Sequence, residues 1–182
     1  MRYNAISPLL RLVLDTDVLV AAMRSRGGAS WQLVDRALAR EFTLLLSVPL
    51  VLEYKAVLTR EEHRKVHRLS APELDEVINS LVRVAEAVQI RFLWRPLLSD
   101  PTDDMVLETA VNSRADLLVT FNQKDFAAVA EGFAFKILRP SEALHRLRAL
   151  AKERHKEKGC ETKQLSFAVG FFLAGGSQNS RE

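Results

Sequence analysis

The chain has 182 residues, of which 48% are hydrophobic and 27% are charged. These proportions are typical of one globular domain, and they exclude a disordered or fibrous chain. The formal net charge is +3, but residues 1–147 contain nineteen basic and nineteen acidic residues, so the surplus lies in the last thirty-five. A balanced body with a basic tail does not by itself indicate a nucleic-acid partner.

The compartment is indicated by three features. The single cysteine, Cys160, cannot form an internal disulfide, which is typical of a reducing environment. The first residues lack the apolar core of a secretory signal, and no apolar run reaches the roughly 18–20 residues that span a bilayer. We therefore expect a cytoplasmic protein without a membrane partner.

Short apolar runs alternate with longer helical patterns along the chain, which predicts repeated β-α units around a mainly parallel sheet of about five strands. The runs are near-continuous, as expected for strands covered on both faces. The predicted strands are Leu12–Leu14, Phe42–Leu46, Val88–Phe92, Leu117–Thr120 and Phe135–Leu138. The predicted helices are Trp31–Arg40, Leu50–Leu58, Glu61–Leu69, Pro72–Ala87, Asp103–Asn112 and Ser141–Lys158.

We expect one domain over residues 1–147 and a C-terminal extension over residues 148–182. The extension continues the last helix, then contains the short apolar segment Leu165–Ala174 and a polar end typical of a frayed terminus. The apolar segment is too short to cross a membrane, and we expect it to pack or to join an interface.

Acidic side chains follow or flank the apolar runs. They are Asp15, Glu53, Asp103, Asp104 and Asp125. In open α/β sheets, ligands bind beyond the carboxyl ends of the strands. If the fold gathers these carboxylates there, they repel one another, raise their pKa values and favour a divalent cation. Nucleases commonly use carboxylates that bind a hard metal ion to cleave phosphodiester bonds.

The first two acids each have a structural alternative. Asp15 ends the first predicted strand and could simply cap the next segment as a turn aspartate. Glu53 shares the apolar stripe of its helix, where a carboxylate is costly unless it is paired or binds a cation. Its alternative is an internal ion pair, with Arg114 or Lys55 as the candidate partner.

The DPTDD segment opens a helix, and its two aspartates lie on different faces. Asp103 lies above Val106 and Leu107 on the apolar face, so we expect it to point toward the sheet and to bind the ion. Asp104 lies above Glu108 on the more polar side and is expected to support the site. The alternative for both is stabilisation of the helix N-terminus.

Two further residues follow the strand that ends at Thr120. Asn122 could close a turn, and Asp125 could cap a short helix that starts near Phe126. Either side chain could reach the same crevice as Asp15, because neighbouring parallel strands end together.

Other candidate sites are weaker. His63 and His67 have the spacing of a helical zinc pair, but their helix is highly charged, which favours a solvated face. Trp31 and Trp94 are isolated in sequence, so no aromatic platform for single-stranded nucleic acid is predicted. Neither common form of glycine-rich phosphate loop occurs.

Five segments together resemble the ordered motifs of the PIN-domain family, most closely its VapC-like branch of toxin ribonucleases. They are VLDTDVLVAAM, LSVPLVLEYKAVL, DPTDDMVLETA, ADLLVTFNQKDF and ILRPSEAL. The resemblance covers residues 10–147 and implies a three-layer α/β/α sandwich. It further implies an Mg²⁺- or Mn²⁺-dependent ribonuclease with a cognate antitoxin as partner, and a homodimer.

The resemblance also implies site residues. It assigns the acidic positions of the family, in chain order, to Asp15, Glu53, Asp103 and either Asn122 or Asp125. Asp15 and Asp103 hold the metal ion, and Glu53 or Asp125 positions or deprotonates a water molecule. Thr120 orients the site by hydrogen bonding. Asp17 stands where the family commonly has asparagine, which adds a negative charge.

Two alternatives to a ribonuclease remain. LDTDVLV also fits the D-x-D-x-V motif of haloacid-dehalogenase-like phosphatases, with Asp15 as nucleophile and Asp17 as acid/base. Such phosphatases have an acidic pair after a strand that ends in Ser or Thr. Here the acidic pair at 103–104 comes before the strand that ends at Thr120, which is the wrong order for that class. The second alternative is a catalytically inactive PIN-like domain that binds RNA or a protein.

Overall fold

The computed structural model describes residues 9–93, 101–130 and 132–153. Within them, five strands form one parallel sheet in the order β3-β2-β1-β4-β5. The strands are β1 (Arg11–Leu14), β2 (Thr43–Ser47), β3 (Glu86–Val88), β4 (Leu117–Val119) and β5 (Lys136–Leu138). The predicted parallel sheet of about five strands is therefore confirmed.

Eight helices in the described ranges complete a three-layer α/β/α sandwich. They are α1 (Thr16–Arg24), α2 (Ala29–Leu38), α3 (Val48–Leu58), α4 (Glu61–His67), α5 (Ala71–Val84), α6 (Pro101–Ser113), α7 (Gln123–Ala130) and α8 (140–153). Helices α1, α2, α3 and α5 pack against one another, whereas α6 contacts β1, β2, β3 and β4. No helix in the described part of the chain has the length and hydrophobicity required to cross a bilayer.

The core follows from the apolar runs of the three central strands. Residues Leu12–Leu14 of β1, Leu44–Ser47 of β2 and all of β4 are buried, because helices and neighbouring strands cover them on every side. The edge strands β3 and β5 are more exposed. Central strands are therefore the ones that an apolar run identifies best.

The prediction for β3 was largely wrong. The strand covers Glu86–Val88, and residues 89–93 are irregular instead of extended in the sheet. The Asn112 side chain there accepts the backbone N–H groups of Arg91 and Phe92 at 2.9 and 3.0 Å and donates to the Phe92 carbonyl at 3.0 Å. This amide takes the hydrogen bonds that a neighbouring strand would otherwise make.

Helix α1 was not predicted. Its sequence, TDVLVAAMR, is short and rich in valine and leucine, so periodicity does not separate a helix from a continuing strand. Asp15 resolves the ambiguity, because its side chain accepts the Thr16 backbone N–H and begins the helix.

The chain divides into a first compact unit that ends at Leu144 and a second that begins at His145. Of the second unit, the structure describes only residues 145–153, which are helical. The predicted apolar segment Leu165–Ala174 and the frayed end lie outside the described residues, so the boundary at residue 147 stays a prediction.

Candidate functional site

The site is built where β1 and β4 end side by side. Leu14 is opposite Val119 in the parallel ladder, and the Asp15 N–H donates to the Val119 carbonyl at 2.8 Å. The next residue on each strand is polar, Asp15 on one and Thr120 on the other. The Thr120 hydroxyl donates to Asp15 Oδ2 at 2.6 Å, and both residues are buried.

Asp15 caps a helix and faces the crevice at the same time. Its Oδ1 atom accepts the Thr16 N–H at 2.6 Å, which is the cap expected of a turn aspartate. Its Oδ2 atom accepts from Thr120 across the strand ends. The side chain is therefore held in one orientation, and only 4% of the residue is exposed.

The pKa of Asp15 is raised to about 7, chiefly by burial, and the nearby charges of Asp17 and Asp103 act in the same direction. The hydrogen bonds from Thr120 and Thr16 act in the opposite direction, because they stabilise the anion. Without a cation, Asp15 is therefore partly protonated at neutral pH.

Asp17 is a second, partly buried acid of the site, and burial raises its pKa as well. Its Oδ2 atom accepts the Phe121 N–H at 2.9 Å. Its Oδ1 atom is buried, and among the described residues it has no hydrogen-bond partner. A buried carboxylate oxygen without a partner carries a large desolvation cost, which a bound cation would offset.

A cleft of about 420 Å³ opens over these side chains. Its walls are formed by Asp15, Thr16, Asp17, Glu53, Val57, Arg60, Asp103 and Asn122. We call it the acidic cleft. It brings together Asp15, Glu53 and Asp103, which lie far apart in sequence: Asp15 follows β1, Asp103 is in the first turn of α6, and Glu53 lies within α3, the helix that follows β2.

Glu53 of α3 reaches the acidic cleft with its side chain 14% exposed. Its basic neighbour is Arg60, whose Nη2 atom lies 3.9 Å from Glu53 Oε1. Lys55, a partner expected from the sequence, instead pairs with Asp75 at 2.7 Å on the surface. Since Arg60 is half exposed and distant, the pair is weak and leaves Glu53 available to the cleft.

Asp103 lines the acidic cleft, whereas Asp104 does not. The prediction that Asp104 and Glu108 lie on a more polar side was wrong, because each is only 1% exposed. Helix α6 crosses four strands and also contacts α3, so its buried face is wider than one apolar stripe. Thr109 on this face is 2.7 Å from Ser47, hydroxyl to hydroxyl.

Asn122 lies on the wall of the acidic cleft, whereas Asp125 lies outside it. Asn122 lines the acidic cleft, and its N–H donates to the Thr120 hydroxyl at 2.9 Å. Asp125 is exposed and accepts a hydrogen bond from the Asn122 side-chain amide. Helix α7 begins at Gln123, earlier than predicted, so Asp125 lies inside its first turn and does not cap it.

The donor chemistry of the acidic cleft fits a hard divalent cation. In the described part of the chain, no three acidic, histidine or cysteine side chains converge as a ready-made cage. Mg²⁺ does not require one, since it is commonly held by one or two carboxylates and completes its shell with water and phosphate oxygens. Asp15, Asp103 and Asp17 Oδ1, which has no partner in the described part of the chain, are oxygen donors of the kind that such an ion prefers.

A protein-family model described as "PIN domain" matches residues 11–124 of the chain, which is more than half of its length. The chain belongs to the PIN-domain family. The PIN-domain match includes every residue that lines the acidic cleft and ends before Asp125.

Among solved structures, the PIN domain is similar to a crystal structure of VapBC2 from Rickettsia felis bound to a DNA fragment from their promoter. The TM-score is 0.49 at 14% sequence identity, and the likeness covers 71% of this chain and 98% of that one. No curated protein matches the chain.

Three residues near the PIN-domain site were missed or undervalued by the sequence analysis. The sequence indicated Asp17 as an added charge and as the acid/base of the phosphatase alternative, but it predicted no place in the nuclease site for Asp17, Arg60 or Phe121. The signal was present for Asp17 and Phe121, since both flank predicted strand ends. No sequence pattern marks Arg60.

Proposed function

We propose that the chain is a divalent-metal-dependent endoribonuclease that hydrolyses RNA phosphodiester bonds, and that it is the toxin of a toxin–antitoxin pair. The observation that carries the proposal is the burial of Asp15 beside Asp17 and Asp103, in a cleft at the carboxyl end of the sheet. A binding surface gains nothing from buried carboxylates that repel one another, whereas a metal-dependent nuclease requires them.

In this mechanism, Asp15 and Asp103 would hold Mg²⁺ or Mn²⁺. When bound, the ion would polarise the scissile phosphate and lower the pKa of a water molecule. Glu53 lies on the same cleft and acts as the general base that takes the proton of the attacking water. Thr120 keeps Asp15 in a single orientation through its hydroxyl.

The fourth acidic position of the family is supplied here by Asn122, with Asp125 as its support. Asn122 lines the cleft, and Asp125 accepts a hydrogen bond from its side-chain amide, which holds that amide in one orientation. Asp104 supports the site from inside the fold, next to Asp103 at the start of α6.

Cleavage of a single-stranded RNA tests the proposal. The wild-type protein is compared with Asp15→Asn, and with Asp35→Asn as an exposed control on α2, in Mg²⁺, in Mn²⁺ and in EDTA. We expect cleavage only with a metal ion, no cleavage by Asp15→Asn, and wild-type rates for Asp35→Asn. Equal rates for Asp15→Asn, with circular dichroism unchanged, would assign the cleavage to another site or to a contaminant.

The toxin role, a cognate antitoxin, a homodimer and a cytoplasmic location are parts of the same proposal. They are supported by the resemblance of the five sequence segments to VapC-like PIN domains. Expression of the chain alone is expected to arrest growth, and co-expression with a small protein encoded beside it is expected to relieve the arrest. Light scattering reports the oligomeric state.

A non-catalytic PIN domain that binds RNA or a protein is the second candidate. The neutral amide of Asn122 on the wall of the acidic cleft, in place of a fourth acid, favours it. Such a domain would bind RNA with the same affinity before and after Asp15→Asn and would cleave none. The family match supports either PIN-domain function over the phosphatase alternative.

A further inference from the structure

A second cleft lies directly beside the acidic cleft. It has a volume of about 390 Å³ and shares two wall residues with its neighbour, Asp17 and Val57. Its other walls carry a cation, Arg24, and an aromatic ring, Phe121. We call it the basic-aromatic cleft. Its walls carry a cation and an aromatic ring, whereas carboxylates dominate the walls of the acidic cleft.

Arg24 is held in place by His63. The Arg24 Nη2 atom lies 3.1 Å from His63 Nδ1, and on the other side of the ring His63 Nε2 lies 3.6 Å from Glu62. Burial and the charge of Arg24 lower the pKa of His63, so the ring is neutral at pH 7 and its Nδ1 atom accepts from the guanidinium. A guanidinium has five N–H donors, and the remaining ones suit a phosphate oxygen.

Phe121 is held by its backbone. Its N–H donates to Asp17 Oδ2 at 2.9 Å, which fixes the residue at the end of β4, next to a side chain that lines both clefts. The residue is nevertheless 47% exposed, although the neighbouring Thr120 is fully buried. An exposed aromatic ring on a fixed backbone is a surface on which an unpaired base can stack.

We propose that the basic-aromatic cleft binds one unpaired nucleotide of single-stranded RNA, next to the scissile phosphate. Phe121 stacks on the base, Arg24 binds the phosphate of that nucleotide, and His63 is a positioning residue for Arg24. The inference rests on the proposed nuclease function, because the shared wall at Asp17 leads the strand from this cleft into the acidic one. Sequence-tolerant stacking of this kind selects single strands over duplexes.

Binding is measured with a fluorescein-labelled single-stranded RNA hexamer in Mg²⁺, by fluorescence anisotropy, in an Asp15→Asn background that does not cleave. We expect Phe121→Ala and Arg24→Ala each to weaken binding by roughly five- to a hundredfold. Phe121→Tyr keeps the ring and restores binding. Arg24→Ala also lowers the slope of log Kd against log salt by about 0.7, the contribution of one phosphate contact to a single strand.

The controls are an exposed aromatic and an exposed cation that line neither cleft, Phe92→Ala and Arg83→Ala, which leave binding unchanged. Stacking is read directly by placing 2-aminopurine at each hexamer position in turn. One position is quenched on binding, and Phe121→Ala removes that quenching. We expect His63→Ala to lower the RNA affinity because Arg24 loses its support. The double variant should bind RNA no more weakly than Arg24→Ala alone.

The two proposals fail in different ways. If the wild type cleaves RNA but Phe121→Ala leaves the hexamer affinity, the quenching and the KM unchanged, the basic-aromatic cleft is not a nucleotide subsite. If no cleavage occurs but Phe121→Ala weakens binding of the hexamer, the subsite is supported and the nuclease function is contradicted. A hexamer that does not bind the background protein, or duplex RNA that binds equally and depends on Phe121, overturns the subsite.

Discussion

The Thr120 hydroxyl donates to Asp15 Oδ2 at 2.6 Å and joins the ends of two neighbouring strands. The hydroxyl oxygen of Thr120 also accepts the Asn122 N–H at 2.9 Å. One buried hydroxyl therefore orients both the Asp15 side chain and the turn that follows β4. The hydrogen bond requires β1 and β4 to end at matching positions, which the pairing of Leu14 with Val119 in the parallel register provides. The register of the sheet therefore sets the positions of the side chains in the acidic cleft.

Replacing Thr120 with valine preserves its shape and removes this hydroxyl. We expect a loss of about 1–3 kcal/mol in the free energy of unfolding, because buried groups on Asp15 and Asn122 lose their partner. The pKa of Asp15 rises, since the lost hydrogen bond stabilised the anion, so the pH–rate profile of cleavage moves to higher pH. Urea denaturation and the pH–rate profile measure both effects. Thr120→Ser, which retains the hydroxyl, should leave both near the wild-type values.

The metal-free protein should lose stability as pH rises from about 4 to about 7. The pKa of Asp15 is about 7 in the fold, above its ordinary value near 3.9, so in this window the native state binds more protons than the unfolded state. One such group gives a slope of at most roughly 1.4 kcal/mol per pH unit. Urea denaturation in EDTA at several pH values measures the slope.

The variant Asp15→Asn should flatten this pH dependence, and Mg²⁺ should reduce it in the wild type by stabilising the anion. Asp35→Asn, an exposed control, should keep the wild-type slope. The same slope in Asp15→Asn and wild type would show that Asp15 is not the responsible group.

The change Asp17→Asn should stabilise the metal-free protein by about 1–3 kcal/mol. It removes a charge that raises the pKa of Asp15, and it replaces a partly buried carboxylate with an amide whose oxygen still accepts the Phe121 N–H. In Mg²⁺ the gain should shrink, because one acidic oxygen for the ion is lost. Denaturation midpoints with EDTA and with Mg²⁺ test the difference, and a destabilised metal-free variant would contradict it.

Arg60 is the one cation among the described residues that line the acidic cleft, and we expect it to bind substrate phosphate. Arg60→Ala should raise KM by about tenfold or more, with a smaller effect on kcat. Stability should change by less than about 1 kcal/mol, since the pair with Glu53 is long and half exposed. Steady-state kinetics and urea denaturation separate the two effects. If kcat and stability fall and KM does not change, Arg60 supports the fold and not the substrate.

Asn122 and Asp125 should differ in their effects on cleavage. Asn122→Ala removes a side chain that lines the cleft and should lower kcat by about tenfold or more. Asp125→Asn removes the negative charge from the acceptor that orients the Asn122 amide but keeps an oxygen that can accept, and it should cost a few-fold. Single-turnover rates compare them. A larger loss for Asp125→Asn would move the fourth acidic position from Asn122 to Asp125.

The fold was predictable where burial left a simple pattern. The central strands β1, β2 and β4 are continuous apolar runs, and all three were found within one residue at each end. The edge strand β3 was misplaced because half-exposed residues carry no such run. Helix α1 was missed because its nine residues are too short and too apolar for a period to show.

By itself, the sequence determined that Asp15, Glu53 and Asp103 stand beside elements of a parallel sheet, and hence that they could meet. That conclusion needs only strand direction, because parallel strands end at the same edge. The tertiary structure decided which side chains share a cleft: Asn122 rather than Asp125 on one wall, Arg60 opposite Glu53, and Arg24 with Phe121 next door. Such neighbours come from helices packed across the sheet, and their proximity depends on packing distances that spacing along the chain does not encode.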